Sequence, residues 1–171
     1  MDVRSGCPIN LAIEALGDKW SMVLLRDIMF GDRRTYREIL TNSLEGISTN
    51  ILGNRLKALV SGGFITADDD PGHKQRTIYS LTEQGIALLP AMIALGAWGR
   101  HFLPVTPELA IRNQVLEDGG QEMQEAFMAE LRERHLGIPA RGVGRAVSDP
   151  LQAALDHVIA QKAETTSVRS K

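Results

Sequence analysis

Four stretches in the first 61 residues place hydrophobic residues three and four positions apart, the spacing of helices that bury one face. Two of them fill PINLAIEALGDKWSMVLLRDIMFG and are separated near Gly17 and Asp18. The second begins its apolar series at Trp20 and ends at Gly31, a residue favoured at helix ends. Because a large aromatic ring on an apolar helix face buries much surface, Trp20 is predicted to be a core anchor.

The other two helical stretches begin at residues that favour helix starts. In TYREILTNSL, Thr35 is the expected N-cap and Glu38 follows at the spacing of a capping box. The last helix is predicted to begin after Ser48 and to end at Gly62 and Gly63. Its predicted buried stripe is Leu52, Leu56, Leu59 and Val60, and its opposite face is Thr49, Asn50, Gly53, Asn54 and Lys57. Gly53 would cost about 1 kcal/mol relative to Ala in mid-helix. It either allows close approach of another surface or reflects neutral drift.

The pattern then changes to alternation of apolar and polar residues. FITADDD and RTIYSLT flank PGHKQ, whose Pro-Gly pair indicates a turn, so a two-stranded hairpin is predicted. A long helix is predicted over residues 82–103, with a broad apolar surface formed by Leu88, Leu89, Met92, Leu95 and Trp98. This surface exceeds the needs of one small domain, and part of it is expected to pack on a second chain or on the tail.

The tail after Pro104 has a different character, with helical patterns over about 107–116, 121–136 and 150–162. Apolar residues form one face at Met123, Phe127, Met128 and Leu131 and another at Leu151, Ala154, Leu155, Val158 and Ile159. These faces can enclose a small apolar effector or extend a dimer interface. The interface is favoured, because apolar helix stripes usually serve packing.

This order of helices, hairpin and long helix predicts a mainly α fold with a small β-hairpin wing (α+β), a winged helix-turn-helix with an added C-terminal helical extension. We expect a DNA-binding domain with a long dimerisation helix over residues 1–103. The helical extension, a dimer interface or an effector pocket, is expected over 104–171.

Composition and charge limit the classes of partner that the chain is expected to bind. With 171 residues, 43% of them hydrophobic and 23% charged, the chain has the composition of a soluble globular protein, and no apolar run is long enough to cross a membrane. The start, MDVRSGCPIN, lacks a secretory pattern, so a cytoplasmic location is expected. A net charge of −2 argues against a nonspecific polyanion binder. Residues 33–57 nevertheless hold five basic and two acidic residues, the basic ones being Arg33, Arg34, Arg37, Arg55 and Lys57.

The polar face of the last of the four helices suits contact with DNA bases. In a winged helix this helix enters the major groove, where Asn can bond adenine, Thr can contact thymine, and Lys or Arg can reach guanine or phosphate. The hairpin tip adds phosphate donors at His73, Lys74, Gln75 and Arg76, opposed in part by Asp68, Asp69 and Asp70. The alternative is a winged helix used for protein contact without DNA binding, which an acidic or apolar helix face would favour.

Other chemistries have little support in the sequence. One cysteine cannot build an internal disulfide framework or most of a zinc site. The four histidines are too scattered for a metal site, and no catalytic signature or phosphate-binding loop is present. We therefore expect neither enzymatic activity nor a metal or other cofactor.

Several motifs together resemble the HxlR family of bacterial winged-helix transcriptional regulators, related to the MarR-type regulators. They are Cys7-Pro8, GDKW around Trp20, GISTNIL and YSLTEQG, within a similarity that spans residues 7–99. The resemblance implies a homodimer, held by terminal helices, on a palindromic operator, with Ser48, Thr49, Asn50, Asn54 and Arg55 at or near the DNA. The chain departs from the family in having RTY where RF is usual and TIYSLT where VEYSLT is usual.

Cys7 lies where several members of this family sense oxidants, quinones or aldehydes, so the resemblance raises the hypothesis of a thiol switch. An oxidised form would need Cys7 of a second chain or a small thiol. The alternative, a small packing residue at a dimer interface, is favoured.

The combined prediction is a sequence-specific DNA-binding regulator, a repressor that acts as a homodimer on a palindromic operator, with a small molecule or an oxidant as a candidate effector. Its expected DNA contacts are Arg34, Arg37, Ser48, Thr49, Asn50, Asn54, Arg55, Lys57, Lys74 and Arg76.

Overall fold

A computed structural model of the protein describes residues 5–140 and 146–169, with the side chains of 74 and 164–169 left out. The chain divides into two compact units, Met1–Ile86 and Ala87–Lys171. Across the described residues, every helix is too short or too polar to span a bilayer.

The first unit holds most of the predicted elements. Its helices are α1 (Pro8–Leu16), α2 (Ser21–Gly31), α3 (Tyr36–Thr41), α4 (Thr49–Ser61) and α5 (Glu83–Ile86). Its strands β1 (Ile65–Asp70) and β2 (His73–Leu81) form an antiparallel pair that places Ile65 opposite Leu81. The register becomes irregular between Asp69 and Asp70, next to the turn. This arrangement confirms the predicted mainly helical fold with a hairpin wing.

The core of the first unit is built from the predicted apolar stripes. Its buried side chains come from α2, α3, α4 and the base of the hairpin, and include Leu24, Leu25, Ile28, Ile39, Leu52, Leu56, Leu59, Ile65 and Leu81. Two predictions are corrected here. Trp20 is only partly buried, because it precedes α2 at the N-cap position, and the Lys19 ammonium lies 5.2 Å from its ring centroid. Val60 is 37% exposed, since it lies at the margin of the α4 stripe.

The base of the hairpin is held by the TEQG segment that follows β2. The Thr82 hydroxyl donates to the Gly63 carbonyl at 2.6 Å and accepts from the Gly85 amide at 3.2 Å. Gly85 packs so closely on the backbone just before β1 that an added Cβ would lie 2.3 Å from the Phe64 carbonyl oxygen. Only glycine fits there without a backbone shift.

The helix predicted over residues 82–103 is interrupted. The structure has the short α5 and a separate α6 (Leu89–Phe102), with Pro90 in the first turn of α6. Proline has no amide hydrogen for a continuous helical ladder, which explains the break. The second unit continues with α7 (Pro107–Asp118), α8 (Gly120–Leu136) and α9 (Ser148–Arg169), close to the three helices predicted for the tail.

Polar contacts fasten α6 to α7 within the second unit. The Asn113 amide donates to the Ile93 carbonyl at 3.1 Å and accepts from Arg100 Nε at 3.1 Å. Arg100 also pairs with Glu117. On α8 and α9, Phe127, Leu131 and Leu151 are buried, so the predicted apolar faces of the tail serve packing in part.

Candidate nucleic-acid interface

Helix α4 presents a polar face directed away from the core. Ser48 caps the helix by accepting a hydrogen bond from the Ile51 amide at 3.5 Å. Because Leu52, Leu56 and Leu59 are buried, the helical period turns Asn50, Asn54 and Lys57 outward, and all three are exposed. Within the described residues, the side chains of these three make no hydrogen bond or ion pair. Their donors and acceptors are therefore available to an external partner.

Thr49 is also exposed, but its carbonyl has an internal role. It accepts a hydrogen bond from the Tyr36 hydroxyl at 2.8 Å, which ties the start of α4 to α3. The predicted contacts Ser48 and Thr49 thus lie at the first turn of α4, beside Asn50.

Arg55 lies at the edge of this face and has an acidic neighbour. Its Nη1 is 3.3 Å from Asp18 Oδ2, while Asp18 Oδ1 accepts from the amides of Trp20 at 2.8 Å and Ser21 at 3.0 Å. Burial alone would raise the pKa of Asp18, but the hydrogen bonds from Ser21 and Trp20 and the charge of Arg55 lower it below its ordinary value. Asp18 therefore stays ionised and attracts the Arg55 guanidinium.

The two arginines predicted on α3 and just before it differ in their surroundings. Arg37 is exposed, and within the described part of the chain it has no ion pair. Arg34 instead turns toward strand β2, where Nε donates to the Tyr79 carbonyl at 3.3 Å and Nη2 donates to the Ser80 hydroxyl. Arg34 is therefore engaged by β2, whereas Arg37 remains exposed.

The wing carries a neutralised arginine. Arg76 pairs with Asp70 through Nε and Nη2. A hydrogen bond from the Gly72 amide at 2.7 Å, followed by that pairing, lowers the pKa of Asp70 below its ordinary value. Arg76 would have to exchange Asp70 for a phosphate, so its contribution to binding would be partly offset. The side chain of Lys74 lies outside the described residues.

The sequence did not predict an ionic network that surrounds the buried carboxylate of Asp27 on α2. Asp27 is only 5% exposed and contacts Arg26 Nη2 at 2.7 Å and Arg33 Nη1 at 3.1 Å. Arg26 also holds both oxygens of Glu45, at 2.7 and 3.0 Å, and Arg33 donates to the Asn42 carbonyl at 2.7 Å. The hydrogen bond from Arg26 lowers the pKa of Glu45, and that of Arg26 is raised.

This network joins α2 to the turn between α3 and α4, so it sets the position of the candidate DNA helix. It also occupies Arg33, which leaves Arg37 and Lys57 as the exposed cations of the predicted basic patch without an ion pair among described residues. One signal was available in the sequence: the adjacent Arg26 and Asp27 interrupt an otherwise apolar helix.

Cys7 is exposed at the N-cap position of α1, and its side chain makes no capping hydrogen bond. It is the chain's single cysteine. Within the described residues, no three His, Cys, Asp or Glu side chains are grouped to hold a metal ion. The thiol switch and the packing role of Cys7 stay predictions.

Packed helices followed by an antiparallel hairpin, with an exposed Asn and Lys face on α4, define a winged helix-turn-helix of the DNA-binding regulator class. The chain belongs to the HxlR-like helix-turn-helix family, whose model matches residues 15–107.

Three individual proteins illustrate the similarity. The chain is 38% identical over 97 residues to an uncharacterised HTH-type transcriptional regulator of Synechocystis, a match that covers 57% of this chain and 70% of that protein. It is 33% identical over 99 residues to one of Mycobacterium bovis, covering 58% of this chain and 61% of the relative. The crystal structure of PA1607, a proposed transcription factor, is similar with a TM-score of 0.55 and 30% identity, over 60% of this chain and 69% of that one.

Proposed function

We propose that the protein is a repressor that binds a palindromic operator as a homodimer, with α4 of each copy in the major groove of one half-site. The observation that carries this proposal is the exposed face of Asn50, Asn54 and Lys57, whose side chains are not used inside the described structure. Family membership supports it, because the similar relatives are named as HTH-type transcriptional regulators. Such a protein would act in the cytoplasm, where bacterial DNA lies.

A second copy of the chain would cover apolar surface that each unit leaves open. On α1, Ile9 is 70% and Ile13 is 60% exposed, and this helix has no buried residue. On α6, Trp98 is 54% and Phe102 is 65% exposed, with their ring centroids 5.6 Å apart. Large exposed apolar patches mark interaction sites, and a symmetric pair of copies would match a palindromic site. Sedimentation should show a dimer that Trp98→Glu dissociates, and a wild-type monomer at micromolar concentration would refute this part.

The proposed dimer would repress transcription, and an oxidant would control its activity. A bound dimer can repress by occupying promoter DNA, without further contacts. An oxidant would act through the exposed Cys7 by joining it to Cys7 of the second copy or to a small thiol. An oxidant response that Cys7→Ser leaves unchanged would remove that part and leave DNA binding intact.

The alternative of a protein-contact module has no specific support in the structure. Protein interfaces concentrate aromatic and Arg anchors in their centre, whereas the outward face of α4 carries two amides and a lysine.

The test compares Asn54→Ala with Ser61→Ala, a control at the C-terminal end of the same helix. Binding would be measured by fluorescence anisotropy on DNA from upstream of the protein's own gene and on random DNA of equal length. Loss of a bidentate base contact costs about 1–3 kcal/mol. Asn54→Ala should therefore weaken operator binding by roughly 5- to 150-fold and leave random DNA nearly unchanged. Equal losses on both DNAs would exclude base readout by Asn54, and no wild-type binding at low salt would refute the function.

A further inference from the structure

A three-residue segment, Arg34–Tyr36, connects the wing to the α4 helix. Its backbone pairs with β2: the Tyr79 amide donates to the Arg34 carbonyl at 2.7 Å, and Thr35 bridges antiparallel to Ile78. The segment therefore acts as a very short third strand along the hairpin.

The Arg34 side chain strengthens this junction. Its guanidinium donates from Nε to the Tyr79 carbonyl at 3.3 Å and from Nη2 to the Ser80 hydroxyl. Ser80 is 8% exposed, so its hydroxyl is poorly accessible to water that could replace the arginine. Two different nitrogens of one planar group are thus engaged with two successive residues of the wing strand.

The same segment is fixed to the helices on its other side. The Arg34 amide donates to Glu38 Oε2 at 3.1 Å, beside the capping box in which the amides of Thr35 and Glu38 are satisfied. Burial alone would raise the pKa of Glu38, but hydrogen bonds from the Thr35 side chain and from the amides of Thr35 and Arg34 lower it, which keeps the carboxylate ionised. Tyr36 then reaches the Thr49 carbonyl in the first turn of α4 at 2.8 Å.

We propose that Arg34 is a positioning residue and not a phosphate contact: it fixes the wing against α3 and α4, and operator affinity depends on the forked shape of its guanidinium. This inference rests on the proposed DNA-binding function. It assigns the phosphate contact on α3 to Arg37, which is exposed one turn further along.

Substitution by lysine distinguishes a positioning residue from a phosphate contact. A phosphate attracts any nearby cation, so Lys retains most of a phosphate contact made by Arg. A lysine ammonium cannot reproduce a fork of two divergent donors from a planar group. Arg34→Lys should therefore behave like Arg34→Gln, whereas Arg37→Lys should behave like the wild type.

The experiment measures operator binding of Arg34→Lys, Arg34→Gln, Arg37→Lys and Arg37→Gln at several salt concentrations, at a temperature where urea unfolding shows every variant to be folded. Both Arg34 variants should bind roughly tenfold more weakly, in keeping with the loss of hydrogen bonds from a charged group. Arg37→Gln should lower the salt dependence by about 0.9 in the log–log slope, the amount expected for one phosphate contact, and Arg37→Lys should restore it.

A variant of the acceptor provides an independent readout. Ser80→Ala should weaken operator binding in the wild type and have no further effect in Arg34→Lys, because the bond is already lost. Hydrogen exchange at the Tyr79 amide should accelerate in both Arg34 variants without DNA, while Arg37→Gln should leave it unchanged.

Near-wild-type binding by Arg34→Lys, with a loss only in Arg34→Gln, would show that charge is what matters and would overturn the inference. Additive losses from Ser80→Ala and Arg34→Lys would also overturn it. In both cases wild-type operator binding remains, so the proposed function stands. Absence of wild-type binding would instead refute the function, and the inference with it.

Discussion

Asp27→Asn removes the one buried negative charge from the ionic network that joins α2 to the turn before the candidate DNA helix. The substitution keeps the size of the side chain, yet Asn accepts through one oxygen only, and its Nδ2 would face a guanidinium donor. Asp27 is 5% exposed, while Arg26 is 36% and Arg33 is 25% exposed, so the network is half-buried on the arginine side.

The expected loss in the free energy of unfolding depends on the acceptors that each arginine keeps after the substitution. Breaking a fully buried ion pair from one side costs about 3–5 kcal/mol. Here Arg26 keeps both oxygens of Glu45, and Arg33 keeps the Asn42 carbonyl, so neither guanidinium is left without an acceptor. We therefore expect a smaller loss, about 2–3 kcal/mol in the free energy of unfolding.

Urea unfolding followed by circular dichroism would measure this loss against Asp32→Asn. Asp32 is exposed at the end of α2 with φ of 47°, a left-handed conformation that Asn adopts readily. The control makes the same chemical change without disturbing a buried pair and should stay within about 0.5 kcal/mol of the wild type. If the two variants unfold at the same urea concentration, the network contributes nothing to stability and the reasoning fails.

Two further predictions concern stability. Gly85→Ala should destabilise the protein, because its Cβ would lie 2.3 Å from the Phe64 carbonyl, whereas Gly53→Ala, with open space around it, should stabilise α4 by about 1 kcal/mol. Urea unfolding of both would check the pair, and equal shifts in the same direction would contradict it. The hydrogen bond from Arg26 lowers the pKa of Glu45 in the folded protein. Its contribution to the free energy of unfolding is therefore fully present above the unfolded-state pKa of about 4.5, and it is lost as the pH falls through the lower folded-state pKa. Glu45→Gln should therefore be less stable than the wild type at pH 7 and equal to it at a pH well below 4.5; a pH-independent difference would argue against the ionic contribution.

The local elements were predictable because their determinants are close together in the sequence. Thr35 and Glu38 form the expected capping box, and Ser48 caps α4. The predicted helix over residues 82–103 took no account of Pro90, although this local residue explains the break before α6.

The availability of the arginines could not be predicted in the same way. Arg33, Arg34 and Arg55 look equivalent in the sequence to Arg37, but their acceptors lie elsewhere along the chain, at Asp27, Tyr79 and Asp18. The number of charges in a sequence segment therefore does not reveal which of these arginines are paired in the folded protein.

The sequence by itself determined the hairpin and the positions of most helices, apart from the break before α6. It also determined that α4 has an outward face of Asn50, Asn54 and Lys57. Hydrophobic period and capping depend on neighbours three or four residues away, so they can be read along the chain. Only the tertiary structure decided which basic residues remain exposed. Folding brings acceptors from distant positions beside some of these arginines, and the hydrogen bonds to Tyr79 and Ser80 are what separate Arg34 from Arg37.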